Sequence, residues 1–308
     1  MPVLVTGGTG FVGSYVVAQL VEAGEKPIVL DITIPGEFLK PYLKEIVFIN
    51  GGINDCRFLN KLFKKHKIDR VIHLASLLQF GCEQDPLSAS KINIMGTVNL
   101  LEASREAEVK KFVFSSSGAV YGPNDGVISE TSSISPDASL YGRGKFFCEL
   151  LGSVYEKLFG FPFISLRYFG VFGPGKVASP GIAEVIKKIE SSISGKNVTI
   201  TDGVSAENKI HMVFVKDVAK ATFLALGAES LPHRIFNISG GDSCYTTFGD
   251  FYLTLKRLFP SAGNVRFIGK GQNRGKVDIS RARKELNYEP KFTLESGIQE
   301  NLNYHLKT

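Results

Sequence analysis

Val3-Leu4-Val5-Thr6-Gly7-Gly8-Thr9-Gly10-Phe11-Val12-Gly13 decides how this chain reads. Val3 to Val5 is short and wholly apolar, as a strand buried on both faces of a parallel sheet must be. Past the glycines, Val16, Val17, Leu20 and Val21 recur at helical spacing as far as Ala23. Ile28-Val29-Leu30 then reads as a second strand, and Asp31 closes it. Strand, glycine turn, helix and acid-terminated strand together are half of a dinucleotide-binding unit. Gly7 suits the tight turn because it lacks a Cβ. Gly10 lets backbone N–H groups approach a pyrophosphate at the helix N-terminus, where the dipole favours anions. Gly13 lets the helix lie close to the sheet. Asp31 offers its carboxylate to a ribose 2′-hydroxyl and would repel a 2′-phosphate, so NAD is expected over NADP.

The bulk properties narrow the class. A chain of 308 residues has room for a large core in one domain or two. The net charge is +6, a mild excess that would help draw in an anionic substrate. The densest basic cluster, Lys61, Lys64, Lys65, His66 and Lys67, shares an amphipathic helix with Leu62 and Phe63. It reads as a solvated face, so no nucleic-acid partner is expected. Cys56, Cys82, Cys148 and Cys244 lie far apart without a C-x-x-C pair, which points away from metal or disulfide use and toward a reduced cytoplasmic setting. No leader-like apolar segment precedes the first strand and no run is long enough to span a bilayer, so no membrane partner is expected.

Further along, Ile34 to Pro41 reads as a loop, because it holds two prolines and a glycine. Ile46–Ile49 is the next strand, and Asn54-Asp55 can cap the helix through Phe58, Leu59, Leu62 and Phe63. Val71–Ala75 and Phe112–Phe114 are strands around a long helical region from Asp85 to Glu106. A helix starts near Leu140 and passes Tyr155, and Phe163–Leu166 is the sixth strand. This alternation implies an α/β fold with a doubly wound parallel sheet. After about residue 170 the character changes. Gly173-Pro174-Gly175 and Ser179-Pro180-Gly181 are loop material, and Ile182–Ile193, Phe251–Phe259 and Ser280–Leu286 look helical. Val198–Ile200, Val213–Val215 and Val265–Phe267 look like short strands, while Arg234–Asn237 can return to the main sheet. The expected organisation is a dinucleotide-binding domain over 1–170, with returning segments near 213–240. A smaller interleaved substrate lobe over 171–308 covers the carboxyl edge of the sheet.

Two further stretches carry chemistry. In Tyr141-Gly-Arg-Gly-Lys145 the phenol and the amine are four apart and project from one helix face. An ammonium close to a phenol stabilises the phenolate, and an oxidised nicotinamide lowers its pKa further. The pair thus sets a proton acceptor beside a hydride acceptor, which alcohol oxidation requires. Ser115-Ser116-Ser117 ends a strand at the same crevice, where a hydroxyl can hold the substrate oxygen. Each stretch alone also reads as ordinary structure, a surface helix or a serine-rich turn. The topology, however, puts them all at one end of the sheet.

The chain resembles the extended short-chain dehydrogenase/reductase family, in particular its nucleotide-sugar epimerases and dehydratases. The likeness runs through the glycine turn, His73-Leu-Ala-Ser76, Asn93-Ile-Met-Gly-Thr97, Ser115–Gly122, Tyr141–Lys145, Leu166-Arg-Tyr-Phe169, Val213–Ala219 and Ser280–Pro290. It implies a Rossmann fold, with Tyr141 as acid/base, Lys145 tuning it and holding the nicotinamide ribose, and Ser117 as the third catalytic group. It implies cofactor contacts from Gly7, Gly10, Phe11, Val12, Gly13, Asp31, Ile53, Leu74, Ala75, Ser76, Asn93, Ser115 and Tyr168, and substrate contacts from Ser117, Leu78, Arg274 and Lys209. Helices around 88–106 and 142–158 match those that pair across the family's usual homodimer, or are ordinary core. The chain departs from the family at three places. Gly52 stands for an Asp, Gly170 for an Asn beside the substrate, and Ile210-His211-Met212 for an Arg-Asp-Phe whose Arg binds nucleotide. Lys209 is one position earlier, so one nucleotide anchor is weakened and Lys209 is the candidate for its place. The apolar Leu77-Leu78-Gln79-Phe80 lines a less polar pocket or belongs to the core. Gly118 and Ala119 occupy the Asp-Glu positions of dehydratases, which favours epimerisation over dehydration. The expected function is NAD-dependent nucleotide-sugar epimerisation. A net dehydrogenase or reductase on a different substrate and a non-catalytic nucleotide-sensing scaffold are the alternatives.

Overall fold

The computed structural model describes residues 2–176 and 182–305, so Ser179-Pro180-Gly181 lies outside the described residues. Seven strands form the central sheet: β1 (Val3–Thr6), β2 (Ile28–Asp31), β3 (Val47–Asn50), β4 (Arg70–His73), β5 (Lys111–Ser117), β6 (Phe163–Tyr168) and β7 (Ile235–Ile238). Their order is β7-β6-β5-β4-β1-β2-β3, and every adjacent pair is parallel. The winding reverses between β1 and β4, which opens a crevice at the carboxyl ends of those strands. This is the doubly wound Rossmann arrangement, and Ile235–Ile238 joins it at the edge beyond Phe163–Tyr168 as the sequence suggests.

Helices cover both faces of the sheet. On one side α1 (Phe11–Glu22) buries Val16, Val17 and Leu20 in a core shared with Val218, Ala221 and Ala225 of a later helix, Val215–Gly227. On the other, α2 (Cys56–His66) buries Leu59, Leu62 and Phe63 against Leu100 and Leu101 of α3 (Gly96–Glu106). Each such side chain contributes about 1.5–3 kcal/mol. Asp55 caps α2, its carboxylate accepting from the Phe58 N–H at 3.0 Å. The long helix α4 (Leu140–Phe159) lies beside β5 and β6. A third core gathers Phe172, Val185, Ile189, Ile210, Phe214, Phe251, Leu255, Ile298 and Leu302, outside the sheet's two faces.

Several local readings change. Ile34–Pro41 is not wholly loop, since Glu37–Tyr42 forms a 3₁₀ helix that tolerates Pro41. The region Asp85–Glu106 is broken: Asp85 caps the short Pro86–Ala89 turn, a wider π-type turn runs from Ser90 to Met95, and only then does α3 begin. Gln79–Gln84 is helical, and Val215 opens a helix instead of extending the strand Val213–Phe214. A final helix, Leu294–His305, packs Ile298 and Leu302 into the third core. Its apolar positions are too few to show it in the sequence alone.

Candidate active site

The site begins at the glycine turn. Gly7 has φ +70°, and a Cβ there would strike the backbone of Ala75 on the neighbouring β4 end. A Cβ on Gly13 would strike the Gly7 carbonyl, so only glycine lets α1 start this close to the turn. Gly10 is the N-cap of α1, which has no side-chain cap and no acid in its first turn. Its first N–H groups are therefore left to a ligand. Asp31 closes β2 with one oxygen accepting from the Thr9 N–H at 3.0 Å and the other from the Thr33 N–H at 3.1 Å.

A neutral histidine ties β4 to β1. The Thr97 hydroxyl donates to the Asn93 carbonyl (2.7 Å), so it accepts from His73 Nε2–H at 2.9 Å. The bare Nδ1 then accepts from the Thr6 hydroxyl at 2.8 Å. Burial holds the His73 pKa well below its usual value, which fits that assignment. Asn93 acts on the same loop. Its oxygen accepts from the Leu77 N–H (2.8 Å) and its amide nitrogen donates to the Leu77 carbonyl (2.9 Å). Both ends of this expected cofactor contact are thus spent on holding the loop after β4. Ile53 is likewise buried beneath Gly96, and its carbonyl accepts from Asn99.

Helix α4 brings the remaining groups to the sheet edge. Ser139 caps it, accepting from the Gly142 N–H at 3.2 Å. A Cβ on Gly142 would strike the Ala119 carbonyl, so this glycine allows the helix to rest on the turn after β5. Tyr141 then lines the same cavity wall as Ser117 and Ser76. Burial pushes its phenol up to about 12, and the two serine hydroxyls pull only partly back. The Lys145 ammonium donates to the Ser115 carbonyl at 2.7 Å and lies 5.6 Å from the centre of the Tyr141 ring. Burial pushes Lys145 down to about 8. In the protein alone burial dominates the phenol, and the Lys145 ammonium donates to the Ser115 carbonyl instead of to the Tyr141 oxygen. Beneath these groups is a buried pair the sequence reading overlooked. Arg167 meets Glu149 at 2.6 Å with 2% and 1% of their side chains exposed. Glu149 also accepts from the Ser116 hydroxyl at 2.5 Å, and Arg167 donates to Tyr121 at 2.6 Å.

A cavity of about 600 Å³ opens over these groups, lined by Ser115, Ser117, Tyr141, Tyr168, Leu78, Phe80 and Arg274, among others. Leu78 and Phe80 are half exposed on its wall, which settles the apolar loop as lining instead of core. Tyr168 donates to or accepts from Thr222 at 2.8 Å. Lys209 does not reach this cavity: its ammonium sits 5.9 Å from the Tyr245 ring centre on the Lys209–His211 strand, and Ile210 is buried in the third core. Lys209 shares a strand face with His211 but sits at the exposed start of the strand, outside the cavity lining. His211 faces the cavity in that region. Its Nδ1 donates to the Gly275 carbonyl at 3.1 Å and burial pushes it down to about 4, so it is a neutral acceptor at neutral pH.

The NAD dependent epimerase/dehydratase family matches residues 3–239. The chain belongs to that family. The UDP-glucose 4-epimerase of Lacticaseibacillus casei is 34% identical over 73% of this chain and 72% of its own. The crystal structure of UDP-glucose 4-epimerase with UDP-glucose from Thermotoga maritima matches with TM-score 0.88 and 31% identity, covering 100% of this chain and 99% of that one. UDP-glucuronic acid 4-epimerase from Bacillus cereus, in complex with UDP-glucuronic acid and NAD, matches with TM-score 0.85 and 27% identity over 100% and 99% of the two chains.

For this member of the epimerase/dehydratase family the cofactor is NAD. The residues present fit it. An uncapped helix N-terminus, a turn that admits no Cβ, and a carboxylate at the end of β2 are the features its pyrophosphate and adenosine ribose require. Among the described residues no group of His, Cys, Asp and Glu has the make-up of a metal site, and no helix is long and apolar enough to cross a membrane.

Proposed function

We propose that this family member is a nucleotide-sugar epimerase in which Tyr141 removes and returns the proton of a substrate hydroxyl. Ser117 holds the reacting oxygen. Lys145 holds the nicotinamide ribose and, with the cofactor's positive ring, brings the phenol back toward neutral pH. When bound, NAD supplies a reversible acceptor for the hydride on the carbon bearing that hydroxyl. Tyr141 deprotonates the hydroxyl on one ring face and reprotonates the oxygen once the sugar has turned over. The observation that carries this reading is the convergence of Tyr141, Ser117 and Ser76 on one cavity wall, with Lys145 buried behind the Tyr141 ring. Gly118 and Ala119, not an acid pair, follow Ser117: Gly118 lies under the Phe169 ring and the Ala119 N–H donates to the Ser117 hydroxyl at 3.1 Å. That supports epimerisation over dehydration.

Residues 171–308, apart from the returning segments, serve as the substrate lobe, with Arg274 on the nucleotide diphosphate and Leu78 on the sugar side. The four free cysteines fit a reduced cytoplasmic setting. The working form is a homodimer, supported by an exposed apolar row on α4 of Phe147, Leu150, Val154 and Leu158. UDP-glucose and UDP-glucuronate, the compounds bound by the similar structures, are the first substrates to test. Tyr141→Phe is expected to lower turnover about 10³-fold while NAD affinity stays within about threefold. Full activity in that variant would end the proposal. The burial of Ile210 favours a second reading, net oxidation of a substrate without a nucleotide. Stoichiometric accumulation of NADH in place of epimer would establish it.

A further inference from the structure

A second cleft, of about 340 Å³, lies along the glycine turn and is lined by Thr9, Gly10, Phe11 and Ser14. Among the described residues, only Leu78 and Lys176 line both this cleft and the large cavity, so they form the neck between them. A dinucleotide reaching from Tyr141 to Asp31 must pass this neck with its pyrophosphate. One wall is the uncapped start of α1. The facing wall is Lys176.

The Lys176 ammonium has no hydrogen bond or ion pair among the described residues, and its one close partner is the Phe11 ring, 5.1 Å away at the centre. Burial pushes its pKa down, with no neighbouring carboxylate to offset it. The segment before it is pinned. The Tyr15 hydroxyl donates to the Pro174 carbonyl at 3.1 Å, Gly175 sits under the Phe38 ring, and the Lys176 N–H reaches the Gly173 carbonyl at 3.3 Å. The acid on the cleft wall, Glu37, is held by Lys40 at 2.5 Å. A half-buried cation without a partner costs the empty protein free energy, and an anion in the neck would recover it.

We propose that Lys176 is a pyrophosphate-binding residue for NAD, clamping the dinucleotide against the N-terminus of α1. The inference rests on the cofactor and not on the choice of substrate. Isothermal titration of NAD, ADP-ribose and adenosine into wild type, Lys176→Met and Lys176→Arg tests it, together with the melting temperature of the empty proteins. Lys176→Met is expected to weaken NAD and ADP-ribose by about tenfold or more, with adenosine within about twofold. Its empty form should melt no lower than wild type, because an unpaired charge has been removed. Lys176→Arg should stay within about threefold of wild type for all three ligands. NAD affinity within about twofold in Lys176→Met would overturn the assignment. So would an equal loss for adenosine, or a variant that melts lower or does not fold, since each marks a structural residue.

Discussion

Lys145 shows how one side chain carries opposed demands. It is 3% exposed and donates to a carbonyl instead of a carboxylate. Its pKa is lowered from 10.5 to about 8, so the folded protein bears the cost of burying charge at neutral pH. As pH rises from about 8 to 10.5 the unfolded chain still binds a proton that the folded chain has released. Stability from this group therefore increases across that window, by about 3 kcal/mol in all. Urea melts of the NAD-free protein should show that rise relative to Lys145→Met, and a flat difference between the two curves would contradict it. The Tyr141–Lys145 pair was legible in the sequence because four residues make one helical turn. The direction of the ammonium was not, since the Ser115 carbonyl reaches it only through the pairing of strand end and helix.

At the scale of elements, the approach of α4 to the turn after β5 decides where Tyr141 sits. Gly142→Ala would drive a Cβ into the Ala119 carbonyl, and the helix must shift outward. Turnover is expected to fall at least tenfold with a loss of about 1–3 kcal/mol in stability, measured by steady-state assay and denaturant melts. The Arg167–Glu149 pair locks α4 to β6, and the Ser116 hydroxyl brings in β5. Arg167→Met leaves the Glu149 carboxylate buried without its cation, and should cost about 3–5 kcal/mol in denaturant melts. An unchanged midpoint would show the network to be dispensable. Neither residue stands out in sequence. A Glu on a helix and an Arg in a strand look like ordinary surface residues until the fold brings them together.

For the whole molecule, the α4 row of Phe147, Leu150, Val154 and Leu158 is between 48% and 65% exposed. Spacings of three and four keep these side chains on one helix face. Sedimentation of the wild type should give a dimer, and replacing both Leu150 and Leu158 with Glu should give a monomer that still binds NAD. A wild-type monomer at micromolar protein would sink the dimer. The strand order came from the fold, while the doubly wound parallel sheet, the ligand crevice at its carboxyl edge and the cofactor preference were all readable in the chain, through the apolar runs and the acid at Asp31. The wall of the substrate cavity was not. Lys209 looked well placed by position, yet it lies outside the cavity while His211 lines it.

Local rules determined what the chain alone could declare. Glycines without a Cβ, apolar runs of strand length and a phenol one turn from an amine each act through bonds to near neighbours, and so are written in adjacent residues. Tertiary structure decided what depends on distant segments meeting: the neutral state of His73, the buried Arg167–Glu149 pair, and the cation of Lys176 at the neck between two clefts. Those properties follow from desolvation and from partners far away along the chain, and neither exists until the backbone has folded.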